Sequence, residues 1–220
     1  MTSSKSQSHM TGLSRMPVRY PNSCLLQFAK APLQGRVKTR LQPALGETGS
    51  LQLHCALVDY QFRIHQASAV SNLELWCSAE HEFFHQLVEG TGVQLVEQQG
   101  CDLGERMANA FAERLGEFNR VIIIGSDCPA INGEYITQAL EALDDVPAVF
   151  GPAKDGGYVL IGLNCLNPAL FYDIPWGSGE VMAKTRDRLS SLGWAWKELS
   201  VLADIDRPED LVELSSFDEL

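Results

Sequence analysis

Apolar positions change period repeatedly along the chain, from two to about 3.6 and back, and each change marks a candidate element. Cys24 to Ala29 is a short apolar run and reads as a strand in a sheet interior. From Glu47 to Ala69, Leu51, Leu53, Leu57, Val58, Phe62 and Ile64 recur among polar residues at mostly helical spacing, with no glycine after Gly49. Leu73 to Cys77 alternates like a strand, Glu82 to Val88 is a short helix closed by Gly90 and Gly92, and Val93 to Val96 is a further strand. Asp102, followed three residues on by Glu105, reads as an N-cap with its reciprocal partner and opens a helix through Met107, Ala110, Phe111 and Leu115.

Arg120 to Gly125 is the most hydrophobic strand pattern and is expected at the centre of the sheet. Ile131 to Leu143 predicts a helix, Ala148 to Phe150 and Tyr158 to Ile161 two strands, Glu180 to Leu192 a long helix and Trp194 to Leu199 a last strand. Pro208 stands where a final helix would begin. Strand and helix alternate almost throughout, which implies a mostly parallel sheet covered on both faces, with its ligand site at the carboxyl ends of the strands.

Composition bounds the class. At 220 residues, 45% hydrophobic and 20% charged, the chain suits one globular domain, expected over residues 23–220. Met1 to Asn22 is rich in Ser, Gln and Thr without periodicity, and is read as a flexible leader. No run approaches the length of a membrane span, and the leader lacks a secretory apolar core, so a cytoplasmic location and no membrane partner are expected. Six single cysteines without C-x-x-C spacing read as reduced thiols. The net charge of −11 argues against polymeric nucleic acid as a partner. Its distribution is uneven, because residues 1–46 hold seven Lys or Arg and no acid.

Four segments carry candidate chemistry. Lys30, Arg36, Lys38 and Arg40 lie in the loop after the first strand, shaped by Pro32 and Gly35, where backbone N–H groups and cations can hold phosphate. The plainer reading is a solvated basic cluster. Gly125-Ser-Asp-Cys-Pro129 releases Asp127 at the end of the central strand, placed either for a cation such as Mg²⁺ or as a helix cap. Lys154-Asp-Gly-Gly-Tyr158 is a hairpin signal whose Gly156 and Gly157 also let a ligand approach the backbone. In Asp204-Ile-Asp-Arg-Pro, alternation puts Asp204 and Asp206 on one side, where both can meet a cation, although Asp206 also fits as an N-cap. His81 and His85 are read as part of a solvated face.

Together these segments resemble the nucleotide-diphospho-sugar transferase superfamily, and within it the bacterial family of uncharacterised glycosyltransferase-like proteins (domain of unknown function 2064). The resemblance rests on Phe28 to Leu41, Gly125 to Pro129, Asp155 to Gly162, Ile174 to Trp176 and Asp204 to Leu211, and spans about residues 24–214. A weaker similarity to phospholactate guanylyltransferases lies in Lys38 to Leu41 and in the closing acidic segment. The resemblance implies a three-layer α/β/α GT-A fold with a mostly parallel central sheet. It also implies a nucleotide held near Lys30, Gly35, Lys38, Arg40, Gly125, Asp127, Gly156 and Gly157, with Lys38 and Arg40 on its phosphates. Mg²⁺ or Mn²⁺ would be bound by Asp127 and completed by Asp204 or Asp206. Arg207 stands where the family commonly has Thr, and the loop lacks the A-x-G-x-G pattern of sugar nucleotidyltransferases.

The expected activity is metal-dependent nucleotidyl transfer from a nucleoside triphosphate to a small phosphorylated or carboxylate acceptor, with Lys38 and Arg40 as catalytic cations. The alternatives are glycosyl transfer from a nucleotide sugar, with Asp155 as base, and a non-catalytic nucleotide-binding or scaffold domain. A homo-oligomer is left open.

Overall fold

Strands that alternate their side chains between two helical layers should show two apolar cores in strict register, and the computed structural model, which describes residues 17–217, has that arrangement. The elements are β1 (Tyr20–Ala29), α1 (Gln42–Ser68), β2 (Ser71–Cys77), α2 (Glu82–Val88), β3 (Gln94–Glu97), α3 (Leu103–Arg114), β4 (Arg120–Gly125), α4 (Gly133–Ala142), β5 (Ala148–Pro152), β6 (Tyr158–Leu163), α5 (Val181–Leu192) and β7 (Trp196–Glu198). Short 3-10 segments occupy Thr39–Leu41, Pro168–Phe171 and Pro208–Ser216. The leader expected over residues 1–22 lies mostly outside the described residues, and Tyr20 to Asn22 already belong to β1. Their backbone continues the ladder, since Tyr20 pairs with Ser71 of β2.

The seven strands are ordered β3-β2-β1-β4-β6-β5-β7, with β4 in the middle, and only β6 runs against its neighbours. Leu25, Ile122, Ile124, Leu75 and Leu160 face α1, α2 and α4, where they meet Val58, Phe62, Phe84 and Ile136. Cys24, Leu26, Val121, Ile123 and Ile161 face the other way, onto Met107 and Phe111 of α3 and Met182 and Leu189 of α5. Each fully buried side chain of this kind contributes about 1.5 to 3 kcal/mol, so the period-two alternation fixes register. Beneath α3 lies a charged pair: Arg114 Nε meets Glu74 Oε2 at 2.7 Å, and Trp76 Nε1 donates to the same oxygen at 2.9 Å.

Helix ends follow local chemistry. Asp102 Oδ1 accepts from Glu105 N, whereas Glu105 reaches back to Cys101 N and not to the cap residue itself. Asn132, through its side-chain oxygen, caps α4, which therefore starts two residues later than Ile131. His81 caps α2, its Nδ1 accepting from Phe83 N. In α1 the backbone departs from helical geometry at Gly46 (φ 69°), so uninterrupted winding begins after it.

The chain runs from β1 to β2 on one side, and from β3 through α3 to β4 on the other. The carboxyl ends of β1 and β4 therefore flank a topological switch point, where neighbouring loops diverge and leave a crevice. The reversed β6 brings the β5–β6 hairpin to the same end of the sheet.

Candidate active site

The basic loop leaves β1 at Lys30 and turns at Gly35, whose φ of 73° an L side chain would strain. Lys38 is itself left-handed (φ 47°, ψ 40°), an uncommon conformation that is retained when surroundings over-determine it. Its ammonium is buried, lies 2.7 Å from Asp127 Oδ1 and donates to Ile205 O. Burial pushes the Asp127 carboxyl up, but Lys38, with Lys30 behind it, more than reverses that push and holds the group below the ordinary aspartate value. Arg40 pairs with Asp206. Lys38 and Arg40 are thus engaged with carboxylates rather than standing open, while Lys30 and Arg36 are exposed and no carboxylate among the described residues pairs with them.

The acidic segment is fastened to both loops. Ile205 N donates to Asp127 O at 2.8 Å, Leu202 N donates to Pro152 O, and Lys154 N donates to Leu202 O. Ile205 is buried against Leu41 and Leu57, which leaves Asp204 and Asp206 on the opposite side, as alternation predicts. The capping expected of Asp206 is performed by Asp210, whose Oδ2 accepts from Arg207 N at 2.7 Å and Asp206 N at 3.1 Å. Asp206 is drawn to Arg40 instead, since a guanidinium competes well for its carboxylate.

Asp155, Asp204, Asp206 and Asp210 line a small cleft of about 200 Å³ together with Lys154 and Arg207. Burial first, then repulsion from Asp155, Asp127 and Asp206, raises the Asp204 carboxyl to about 6. Asp155 also closes its own turn, its Oδ1 accepting from Gly157 N at 2.8 Å. At Gly156 (φ 90°) a Cβ would lie 2.0 Å from Gly179 O, so only glycine lets the hairpin meet the loop before α5. Gly125, at the end of β4, faces open space, which leaves the strand end accessible. Among the described residues, no three His, Cys, Asp or Glu side chains are grouped to hold a metal ion by themselves. The donors that line the cleft are hard carboxylate oxygens, the chemistry that suits Mg²⁺ or Mn²⁺ completed by water and phosphate oxygens.

A set of polar residues absent from the expected site supports it from below. On α1, His54 Nε2 contacts Lys30 O at 2.9 Å, and Gln61 Nε2 donates to Cys128 O at 2.6 Å. Gln27 Nε2 donates to Val58 O and Ser126 Oγ, and Ser126 Oγ donates to Phe28 O. These bonds tie the basic loop and the Asp127 loop to one helix. The signal was present in the sequence: His54, Gln61 and His65 occupy the same helical stripe as Val58, an apolar stripe interrupted by polar residues.

The fold and the crevice define a nucleotide-diphospho-sugar transferase type of architecture. The chain belongs to the family described as an uncharacterized protein conserved in bacteria (DUF2064), whose model matches residues 63–178. Among solved structures it is similar to a protein of Desulfovibrio desulfuricans G20 provisionally assigned as a nucleotide-diphospho-sugar transferase, at 28% identity and a TM-score of 0.78, covering 90% of this chain and 89% of that one. It shares its fold with a 4-diphosphocytidyl-2C-methyl-D-erythritol synthase from Anaerococcus prevotii DSM 20548 (10% identity, TM-score 0.61, covering 89% and 95%). A cytidylyltransferase from Leptospira borgpetersenii serovar Hardjo-bovis has the same fold (13% identity, TM-score 0.56, covering 90% and 86%). No curated protein matches the sequence. Among the described residues, no helix is long and apolar enough to cross a membrane.

Proposed function

We propose that this chain is a metal-dependent transferase that holds a nucleotide across the β1–β4 crevice. The observation that carries the reading is the convergence of the Lys38–Asp127 pair, the crowded Asp155 and Asp204, and the nearby Lys30 at one switch point, with the exposed Arg36 in the same loop. In this reading Lys30 and Arg36 receive the outer phosphates, and Lys38 fixes Asp127 in place. Asp127 and Asp204 would hold Mg²⁺ or Mn²⁺, which supplies neutralisation of charge on the leaving phosphates. Asp206 is left to anchor Arg40.

In the nucleotidyl version an acceptor oxygen attacks the α-phosphorus, the bond to the bridging oxygen breaks and pyrophosphate departs. The concentration of cations in the first loop supports that leaving group. The glycosyl version is favoured by the likeness to the Desulfovibrio protein. There the sugar–diphosphate bond breaks, an acceptor hydroxyl bonds to the sugar carbon, and Asp155 takes up the hydroxyl proton. The proposal includes a cytoplasmic location, where nucleotides are abundant.

Thermal-shift measurements with nucleoside triphosphates and sugar nucleotides test the reading, with and without Mg²⁺ or Mn²⁺. Metal-dependent stabilisation that is lost in Asp127→Asn and Asp204→Asn is the expected outcome. Stabilisation by triphosphates selects nucleotidyl transfer, stabilisation by sugar nucleotides alone selects glycosyl transfer, and no shift with any of them leaves only a scaffold domain.

A further inference from the structure

The Ile174–Trp176 motif has no duty in the crevice, yet it forms one wall of a second and larger cavity. This space of about 650 Å³ lies between α3 and the segment from Leu166 to Trp176. It falls within the roughly 300 to 1,000 Å³ of ordinary small-molecule sites. Leu166, Pro168 and Phe171 give it an apolar floor, and Phe171 is fixed by stacking on Phe111 at 6.0 Å.

Trp176 is held from two sides. A Cβ on Gly104 would stand 2.7 Å from its Nε1, so the absence of a side chain there lets the indole lie on the helix. Tyr158 meets it edge-on, with ring centroids 6.3 Å apart. Tyr172, 58% exposed, lies at the mouth. The polar lining comes from Asp102, Glu105, Asn109 and Asp173, and includes no Lys or Arg. Arg188 stands behind Tyr172 and Asp173, donating to Tyr172 O at 2.8 Å and lying 3.6 Å from Asp173.

Much of the hydrogen-bonding capacity of this lining remains unspent among the described residues, and carboxylate and amide oxygens outnumber the donors, which are the Trp176 indole N–H, the Tyr172 hydroxyl and one Asn109 N–H. Asp102 and Glu105 each use one oxygen on the backbone before and within the first turn of α3, and Glu105 also meets the Cys101 thiol. Asn109 spends one amide N–H on Gln99 O and keeps the other N–H and its oxygen. Such a cavity requires a ligand that donates many hydrogen bonds, carries no negative charge and has an apolar face for an aromatic ring. A phosphate or carboxylate would meet three carboxylates and no cation in the lining.

We propose that this cavity binds a neutral polyol ring, a sugar or cyclitol without a phosphate or carboxylate group. It replaces the phosphorylated or carboxylate acceptor expected from the sequence by a hydroxyl acceptor. Trp176 continues into Gly179, which packs on Gly156, and Met182 N donates to Gly156 O at 2.9 Å, so the cavity wall and the hairpin bearing Asp155 form one unit. The acceptor role rests on the transferase reading, whereas the binding itself does not.

Equilibrium titration of the full chain with glucose, galactose and myo-inositol, beside glucose 1-phosphate and gluconate, tests the inference. Each titration is run alone and with a nucleoside triphosphate or sugar nucleotide plus Mg²⁺. At least one neutral polyol should bind about tenfold or more tightly than either anion, and Tyr172→Ala and Glu105→Gln should each weaken it by about tenfold. Tyr172 is exposed enough for its variant to keep the fold, which circular dichroism checks. Tighter binding of the anions, unchanged affinity in both variants, or no polyol binding under any condition overturns the proposal. Polyol binding that persists while every nucleotide shift fails overturns the transferase reading alone.

Discussion

Arg114 and Glu74 meet at 2.7 Å, and so do Lys38 and Asp127, but their surroundings differ. In the first pair both side chains are nearly sealed, at 8% and 9% exposure; in the second the lysine is 2% exposed and the aspartate 45%. A sealed pair is closed to any ligand, so its work is confined to the fold. Asp127 keeps part of its carboxylate exposed, and can take on a ligand while Lys38 stays behind it. The lesson is that distance alone does not separate structural from functional ion pairs; the exposure of one partner does.

Breaking the sealed pair should have the largest effect. Glu74→Ala leaves the Arg114 charge buried beside Trp76, with only the exposed Glu113 and Glu117 to compensate, and should lower stability by about 4 kcal/mol in urea denaturation. A ligand-induced thermal shift in that variant should survive in full below its lowered melting point.

Acid titration sharpens the comparison once a third buried group is accounted for. His65 on α1 is buried, its Nε2 lies 2.8 Å from Gln61 Oε1, and burial lowers its pKa to about 4. Because the Gln61 amide nitrogen is spent on Cys128 O, the contacted oxygen accepts, which assigns the proton to His65 Nε2. The unfolded chain takes up a proton near pH 6.5 while the folded one resists until about pH 4, so stability is full above 6.5 and falls as the pH drops. The loss should reach about 3 kcal/mol at pH 4. His65→Phe should flatten that slope in denaturation curves recorded across the window. Asp127, held below its ordinary value, acts in the same direction at lower pH, where protonation cancels the pair with Lys38.

The open pair should cost less to break. Lys38→Met removes the charge and the bond to Ile205 O but leaves Asp127 partly solvated, with an expected loss of about 2 kcal/mol in the same urea assay. Unlike Glu74→Ala, it should abolish the metal-dependent nucleotide shift. The smallest effect has the opposite sign. Asp204→Asn relieves repulsion from Asp155, Asp127 and Asp206 and, discounted for solvent exposure, should stabilise the ligand-free protein by about 1 kcal/mol while removing the metal response. Calorimetry with and without Mg²⁺ reads both.

The contrast also explains how far the sequence could be read. The strands, the helices and the central place of β4 follow from local period and capping, and α2 matches its predicted limits because His81 and the closing glycines mark both ends. The four segments of the candidate site stood out in the sequence because each carries its own turn chemistry. Their partnerships were not: Lys38 finds Asp127, Arg40 finds Asp206, and Asp210 takes over the cap, through packing of residues far apart in the chain. The polar stripe of His54 and Gln61 shows in the helical spacing, but its duty does not, since a buried polar side chain acquires its meaning only from the carbonyl it meets.

The reversal of β6 has one further consequence. Had it run with its neighbours, the chain would have needed a long crossover to return from β5, and the loop at the ligand end would have hung from a single strand. Because it runs against them, Asp155 sits in a turn clamped by two hydrogen-bonded strands and by the backbone of Gly179. Little freedom is left there for a ligand to remove, so the entropy of ordering this part of the site is lost during folding and not at each encounter.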